Sequence, residues 1–179
     1  MSVSSCPGEI APKIAPENWR KYLRVNLVDA CPLTRGDYNK LRGWEIPQDE
    51  NPNDEGYLIV YRKGKSNEYT SWCPKTEFDN VSKPTDGMTF GHAIEAMKHG
   101  FKVTRKGWNG KGMYIWMMSY AFVKAEWCKE PHLKELAEAN GGEIECLGSI
   151  RMKTADNKVL TGWLASQTDM FAEDWQIVK

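Results

Sequence analysis

Apolar and polar positions along this chain switch repeatedly between a period of two and a period near 3.6, and the switches mark out its elements. Tyr22, Leu23, Val25 and Leu27 predict a strand within Lys21 to Ala30. Thr34 suits the N-cap of a short helix running through Leu41, with Gly43 at its end. Pro47 to Gly56 is acidic and rich in proline and asparagine, hence a loop. Tyr57-Leu58-Ile59-Val60-Tyr61 and the returning Glu68 to Trp72 predict a hairpin around a turn at Lys63 to Asn67. Thr76 to Val81 predicts one helical turn. Ahead of all this, Pro7, Pro12 and Pro16 with Ser2, Ser4 and Ser5 predict a loose arm over residues 1 to 18.

The run Lys83-Pro84-Thr85-Asp86-Gly87 is the best internal boundary, because composition and period both change across it. It predicts two small domains, residues 1–85 and 86–179. Past it, Thr89 caps a helix with apolar positions Phe90, Ala93, Ile94 and Met97, at i, i+3, i+4 and i+7. Gly100 fits its left-handed end. Phe101 to Arg105 reads as a strand with Phe101, Val103 and Arg105 on one face, and Met113 to Met118 as a buried strand. Ser119 to Gly142 predicts a second helical stretch broken at Pro131. Ile150 and Met152 alternate with Arg151 and Lys153 in a strand that turns at Ala155 to Lys158 and returns over Val159 to Leu164. Ser166 caps a short helix over Thr168 to Ala172, and Trp175 to Val178 is a last strand. Consecutive strands with helices at the margins define an α+β class, with antiparallel sheets and flanking helices.

Charge narrows the partners. With 24 Lys and Arg against 24 Asp and Glu among 179 residues, the net charge is zero, which excludes wrapping long nucleic acid by bulk electrostatics and leaves room for a small anion in a local basic pocket. No apolar run is long enough to span a membrane, and Met1 to Gly8 lacks the pattern of a signal peptide. The five cysteines are odd in number and irregular in spacing, which fits a reduced cytoplasmic protein. Cys128, His132 and Cys146 lack the four tight ligands of structural zinc, so neither a metal nor a cofactor is assigned.

Two stretches carry candidate chemistry. Arg105-Lys106-Gly107-Trp108-Asn109-Gly110-Lys111-Gly112 joins glycines, cations and one flat ring, a combination that lets backbone and charge approach a phosphate. It has neither the Walker spacing nor a dinucleotide fingerprint, and a plain turn is the competing reading. Trp163-Leu164-Ala165-Ser166-Gln167-Thr168-Asp169-Met170 places donors and acceptors at a helix N-terminus, where either anion binding or simple capping is served. The three histidines, His92, His99 and His132, stand in no nucleophile motif. Asp169, Glu173 and Asp174 are an acidic group suited either to a metal or to a solvated helix end.

These residues together carry a resemblance. Met88-Thr89-Phe90-Gly91-His92-Ala93-Ile94-Glu95-Ala96, the stretch Val103 to Ile115, Ile150 to Asp156, Gly162 to Met170 and Ala172-Glu173-Asp174-Trp175, in that order over residues 88–178, resemble the phage and prophage family that includes the second type of Thoeris anti-defence protein. The N-terminal half, through Tyr38 to Pro47 and Gly56 to Pro74, is similar to a segment often fused ahead of that domain in phage proteins.

The resemblance implies a sponge in the cytoplasm of an infected bacterium. Such a protein binds cyclic ADP-ribose isomers made by TIR-domain defence proteins, or cyclic oligonucleotides of CBASS-type systems, without turning them over. It also implies a homotetramer with pockets between protomers. Arg105, Lys106, Trp108, Asn109, Trp163, Ser166, Gln167, Thr168 and Asp169 are then the expected ligand-binding residues. Trp108 would stack on adenine, Arg105 and Lys106 would meet the pyrophosphate, and Asn109, Gln167 and Asp169 would hold ribose hydroxyls. The competing readings are a metal-assisted phosphodiesterase built on Asp169, Glu173 and Asp174, and a structural or partner-binding accessory protein. The added N-terminal half and the insertion from Ser119 to Ser149 depart from the family pattern.

Overall fold

The computed structural model describes residues 25–179; the expected arm over residues 1 to 18, and Tyr22 and Leu23 of the expected first strand, lie outside them. The class is α+β with antiparallel sheets, as the pattern predicts. Three strands, β1 (Asp29–Pro32), β2 (Gly56–Tyr61) and β3 (Tyr69–Pro74), pair in the order β1-β2-β3. Two helices flank them, α1 (Arg35–Arg42) and α2 (Lys75–Val81). Thr34 caps α1 by accepting from the Asp37 amide at 3.2 Å, and Gly43 ends it at φ 68°. Ile59 and Tyr38 are buried, and Tyr57 stacks on Phe78 at 4.1 Å between ring centroids. The Trp72 indole donates to the Leu33 carbonyl at 2.9 Å, and Arg35 sits over the same ring while forking onto Glu50.

The first strand is shifted relative to the sequence expectation. Residues 25–28 have no regular structure and pairing starts at Asp29. Asp29 pairs with Val60 and Pro32 with Tyr57. The ladder begins opposite Val60 because β2 ends at Tyr61 and Arg62 turns away at φ 53°. α2 also extends to two turns where one was expected.

The second sheet has the order β10-β4-β5-β8-β9, from β4 (Val103–Arg105), β5 (Tyr114–Met118), β8 (Ser149–Lys153), β9 (Val159–Thr161) and β10 (Trp175–Ile177). Helix α3 (Phe90–Lys98) lies on one face. Its cap is the expected Thr89, whose hydroxyl accepts from the His92 amide at 3.4 Å. Ala93, Ala96 and Met97 meet Val103, Ile115, Met152 and Trp175 in the core. Register explains the grouping: Val103 faces Ile115, and Ile115 faces Met152. Val103, Ile115 and Trp175 are fully buried, each contributing about 1.5–3 kcal/mol by leaving water. The expected buried strand is enclosed only at Ile115: Tyr114 and Trp116 are half-buried, and Met117 and Met118 are exposed.

The stretch from Ser119 to Gly142 corrects the expectation of a helical segment. Ala121–Lys124 is a strand, β6, paired antiparallel with β7 (Glu143–Cys146). Only Pro131–Ala139 is α-helix (α4), with a 3-10 turn at Ala125–Trp127 before it. Phe122 and Val123 are strand formers, and the Ala125 amide donates to the Gly142 carbonyl, which closes the hairpin ends around α4. β9 is likewise shorter than expected. Gly162 turns at φ 80°, and its amide and that of Trp163 both donate to the Ile150 carbonyl.

Gly56 shows how tightly the N-terminal sheet closes. A Cβ there would lie 2.4 Å from both the Trp72 ring and the Cys73 carbonyl. Gly56→Ala is expected to destabilise by about 1–3 kcal/mol. Thermal unfolding followed by tryptophan fluorescence checks this, and an unchanged transition would show that the ring yields freely.

Candidate functional site

Arg105, at the end of β4, shares the core-facing side with Val103 but reaches the rim of the sheet. Its partners come from the far end of the chain. Helix α5 (Gln167–Met170) delivers Asp169, and the segment entering β10 delivers Asp174. Arg105 Nη1 donates to Asp169 Oδ1 and Nε donates to Asp174 Oδ1, both at 2.8 Å. One guanidinium therefore joins two carboxylates.

Asp169 is used four times. Its Oδ1 also accepts from Trp108 Nε1 at 3.0 Å. Its Oδ2 accepts from the Ser166 amide at 3.1 Å and from the Ser166 hydroxyl at 2.7 Å. Ser166 Oγ in turn accepts from the Asp169 amide at 3.1 Å, which completes a capping box. Burial pushes the Asp169 carboxyl upward, but hydrogen bonds from Ser166, Arg105 and Trp108 outweigh it and hold the group at about 2. Asp174 is also held below the usual carboxylate range: burial opposes this, and Arg105 and the Gly107 amide more than offset it. That amide donates to Asp174 Oδ2 at 2.6 Å. A Cβ on Gly107 would meet the same oxygen at 2.8 Å, so this turn position is kept free of a side chain.

Beneath the ion pairs lies an aromatic cluster. Trp108, Trp163 and Trp175 meet edge to face at 5.3–6.3 Å between centroids, and Phe90 adjoins Trp163 and Trp175. Trp175 donates its Nε1–H to the Asp169 carbonyl at 3.0 Å. Edge-to-face pairs of this kind add about 0.5–1.5 kcal/mol each beyond burial.

Of the expected site residues, Arg105, Trp108, Trp163, Ser166 and Asp169 come together. Thr168 joins them through its hydroxyl, 2.9 Å from that of Ser166. Lys106, Asn109 and Gln167 are exposed beside the cluster. Trp108, expected to stack on a base, is half-buried and packs against the core. Capping claims the first-turn amide of Asp169. Asp174, Trp175 and Phe90 belong to the same assembly and were not among the expected binding residues. A lone arginine at the end of a strand, with two aspartates five positions apart near the C-terminus, was the available signal for Asp174.

Asp169 and Asp174 meet at Arg105, while Glu173 is exposed. Among the described residues, no three His, Cys, Asp or Glu side chains are grouped to hold a metal ion, and no helix is long and apolar enough to cross a membrane. A separate cavity of about 490 Å³ lies between residues 25–28, Ala30, Tyr57, Phe78 and the His92, Glu95 and His99 side of α3; none of the expected site residues lines it.

A small antiparallel sheet covered by one capped helix, with its far strand and a short second helix locked by an arginine–aspartate node, is the form taken here by a phage anti-defence domain. Residues 88–178 match the model of the Thoeris anti-defense 2-like domain, and the chain belongs to that family. It is similar to Thoeris anti-defense 2 of Bacillus phage SP01, with 41% identity over 98 residues that cover 51% of this chain and 94% of that relative. Membership supports an anti-defence role.

The node makes acid stability a direct test. Asp169 has a folded pKa of about 2 against 3.8 unfolded, so its contribution is complete above pH 4 and is lost as pH falls from about 4 to about 2, amounting to about 2 kcal/mol. Asp169→Asn is expected to be less stable at pH 7 and to have a flatter acid limb. Denaturant titrations of both proteins from pH 7 to pH 2 check this; parallel limbs would show that the carboxylate is not linked to folding.

Proposed function

We propose that the chain is an anti-defence sponge: its C-terminal domain, residues 86–179, binds and sequesters a cyclic nucleotide immune signal of the cyclic ADP-ribose class, or a cyclic oligonucleotide, without turnover. The N-terminal domain, residues 1–85, has no assigned part in this. The observation that carries the reading is the fixed junction of the Arg105 turn with α5. The bonds from Asp169 to Arg105 and Trp108 bring two turns side by side, and around that seam stand the exposed Lys106, Asn109, Gln167 and Thr168. Cation, amide and hydroxyl groups on a rigid base match phosphate and ribose. The half-buried edges of Trp108 and Trp163 supply apolar contact for a base. Asp169 acts here as a positioning residue, since its carboxylate oxygens already accept four hydrogen bonds.

The same geometry supports binding over hydrolysis. A metal-assisted phosphodiesterase using Asp169 and Asp174 would have to pull both carboxylates from Arg105 and undo the capping box. In this proposal the sponge acts within the infected bacterial cytoplasm as a homotetramer. Leu164, Phe171 and Leu147 are more than four-fifths exposed, and the first two flank α5 beside the proposed site. Exposed apolar groups next to a polar site suit closure by a second protomer.

Lys106→Ala and Gln167→Ala test the seam without disturbing the core. Each is expected to weaken binding of a cyclic ADP-ribose isomer in calorimetric titration, Lys106→Ala by about 1.5 kcal/mol, or roughly tenfold, with no change in ligand-free melting temperature. Trp108→Ala is expected to lose both affinity, by about 1–3 kcal/mol, and stability, because its ring packs on Trp163 and Trp175. Unaltered affinity in Lys106→Ala and Gln167→Ala would remove the seam as the binding surface. Light scattering should return a species larger than the 20.5 kDa chain; a monomer at all micromolar concentrations would defeat the inter-protomer site.

A further inference from the structure

The five-stranded sheet has a second face, turned away from α3. Register alone assigns it. Tyr114 lies opposite Lys153 and Trp116 opposite Arg151 across β5 and β8. Arg151 and Lys153 lie opposite Thr161 and Val159 across β8 and β9. Lys102, just before β4, joins them: its Nζ stands 5.1 Å from the Tyr114 ring centroid, and Lys153 Nζ stands 5.9 Å from the same centroid. The Tyr114 and Trp116 rings are 5.7 Å apart and inclined at 52°. Two neighbouring rings therefore sit among three cations.

The charge on this face is not balanced internally. None of Lys102, Arg151 and Lys153 has a carboxylate within 4 Å among the described residues. Lys153 donates to the carbonyls of Gly112 and Thr154. Asp156, whose carboxyl feels Lys153, is paired with Lys158. Arg151 Nε is buried without a hydrogen-bond partner. Arg151 lies opposite Trp116 in the ladder with no carboxylate partner, and a guanidinium so placed is suited to a planar or phosphate acceptor through its outer nitrogens. Rings two residues apart on one strand are spaced ~6.6 Å along it, and a base stacks on any such ring while flanking cations follow the phosphates.

We infer that this face binds a nucleobase–phosphate unit, carried either by a short single strand or by a free nucleotide. The base stacks on Trp116 or Tyr114, and the phosphate meets Arg151 with Lys102 or Lys153. Zero net charge limits such a site to a few nucleotides. It shares no residue with the Lys106–Gln167 seam, so either can fail without the other.

The test uses the full chain with two probes, fluorescein-labelled hexathymidylate and AMP, at about 50 mM and then 200 mM salt. Binding of the hexamer alone assigns the site to single strands, and binding of AMP with similar affinity assigns it to free nucleotides; either outcome supports the inference if the variants respond. Trp116→Ala should weaken binding about 5- to 100-fold. Arg151→Gln and Lys153→Gln should each weaken it and lower the log–log salt slope by about 0.7 for each phosphate no longer neutralised. Should Trp116→Ala not fold, those two variants decide. Neither probe binding at low salt, or binding unchanged in Arg151→Gln and Lys153→Gln, overturns the inference.

Discussion

The C-terminal domain depends on one buried carboxylate. Asp169 fastens the turn after β4 to the helix before β10, two pieces of chain more than sixty residues apart, through Arg105 and Trp108. Burying that charge is costly, and it persists only because four donors satisfy it. Removing one partner would leave the rest of the network underused, so the residues stand or fall together. Asp174 extends the same constraint to the turn backbone through the Gly107 amide. The tryptophans below are the apolar half of the junction: Trp108 and Trp175 each send an indole N–H to Asp169, one to its side chain and one to its carbonyl.

This arrangement separates residues that hold the site from residues that meet a ligand. Arg105, Asp169 and Ser166 spend their polar atoms within the node, on one another and on Trp108, Thr168 and Asp174. Lys106 and Gln167, next to Arg105 and Ser166 in sequence, and Asn109 in the same turn remain exposed. A rigid base with free groups at its edge is what tight binding needs, since less ordering remains to be done when the ligand arrives. In the proposed sponge, affinity comes from that pre-organisation.

Much of the fold was legible because helix caps and hairpin periods are local signals. Thr34, Thr89 and Ser166 each cap the helix expected of them. The failures came from pairing at a distance. Ala121–Lys124 lies between β5 and a 3-10 turn, and only its partner Glu143–Cys146 makes it β-structure. The start of β1 is set by where β2 ends, which no feature of residues 21–30 records. At the site, residue type identified Arg105 and Asp169, but their direct contact, the enlistment of Asp174 and the half-burial of Trp108 follow from the β4–β10 pairing. The open sheet face with Arg151 was hidden for a related reason. Its cations and rings lie on different strands, and only the register sets them side by side.

The most direct test of sequestration is recovery of the ligand itself. The purified protein is incubated with lysate containing TIR-made signal, washed and heat-denatured, and the released small molecules are identified by mass spectrometry. Sequestration predicts an intact cyclic ADP-ribose isomer, or a cyclic oligonucleotide from a lysate that makes one, in amounts comparable to the protein. Release of only a linearised product, or of no nucleotide at all, would contradict it.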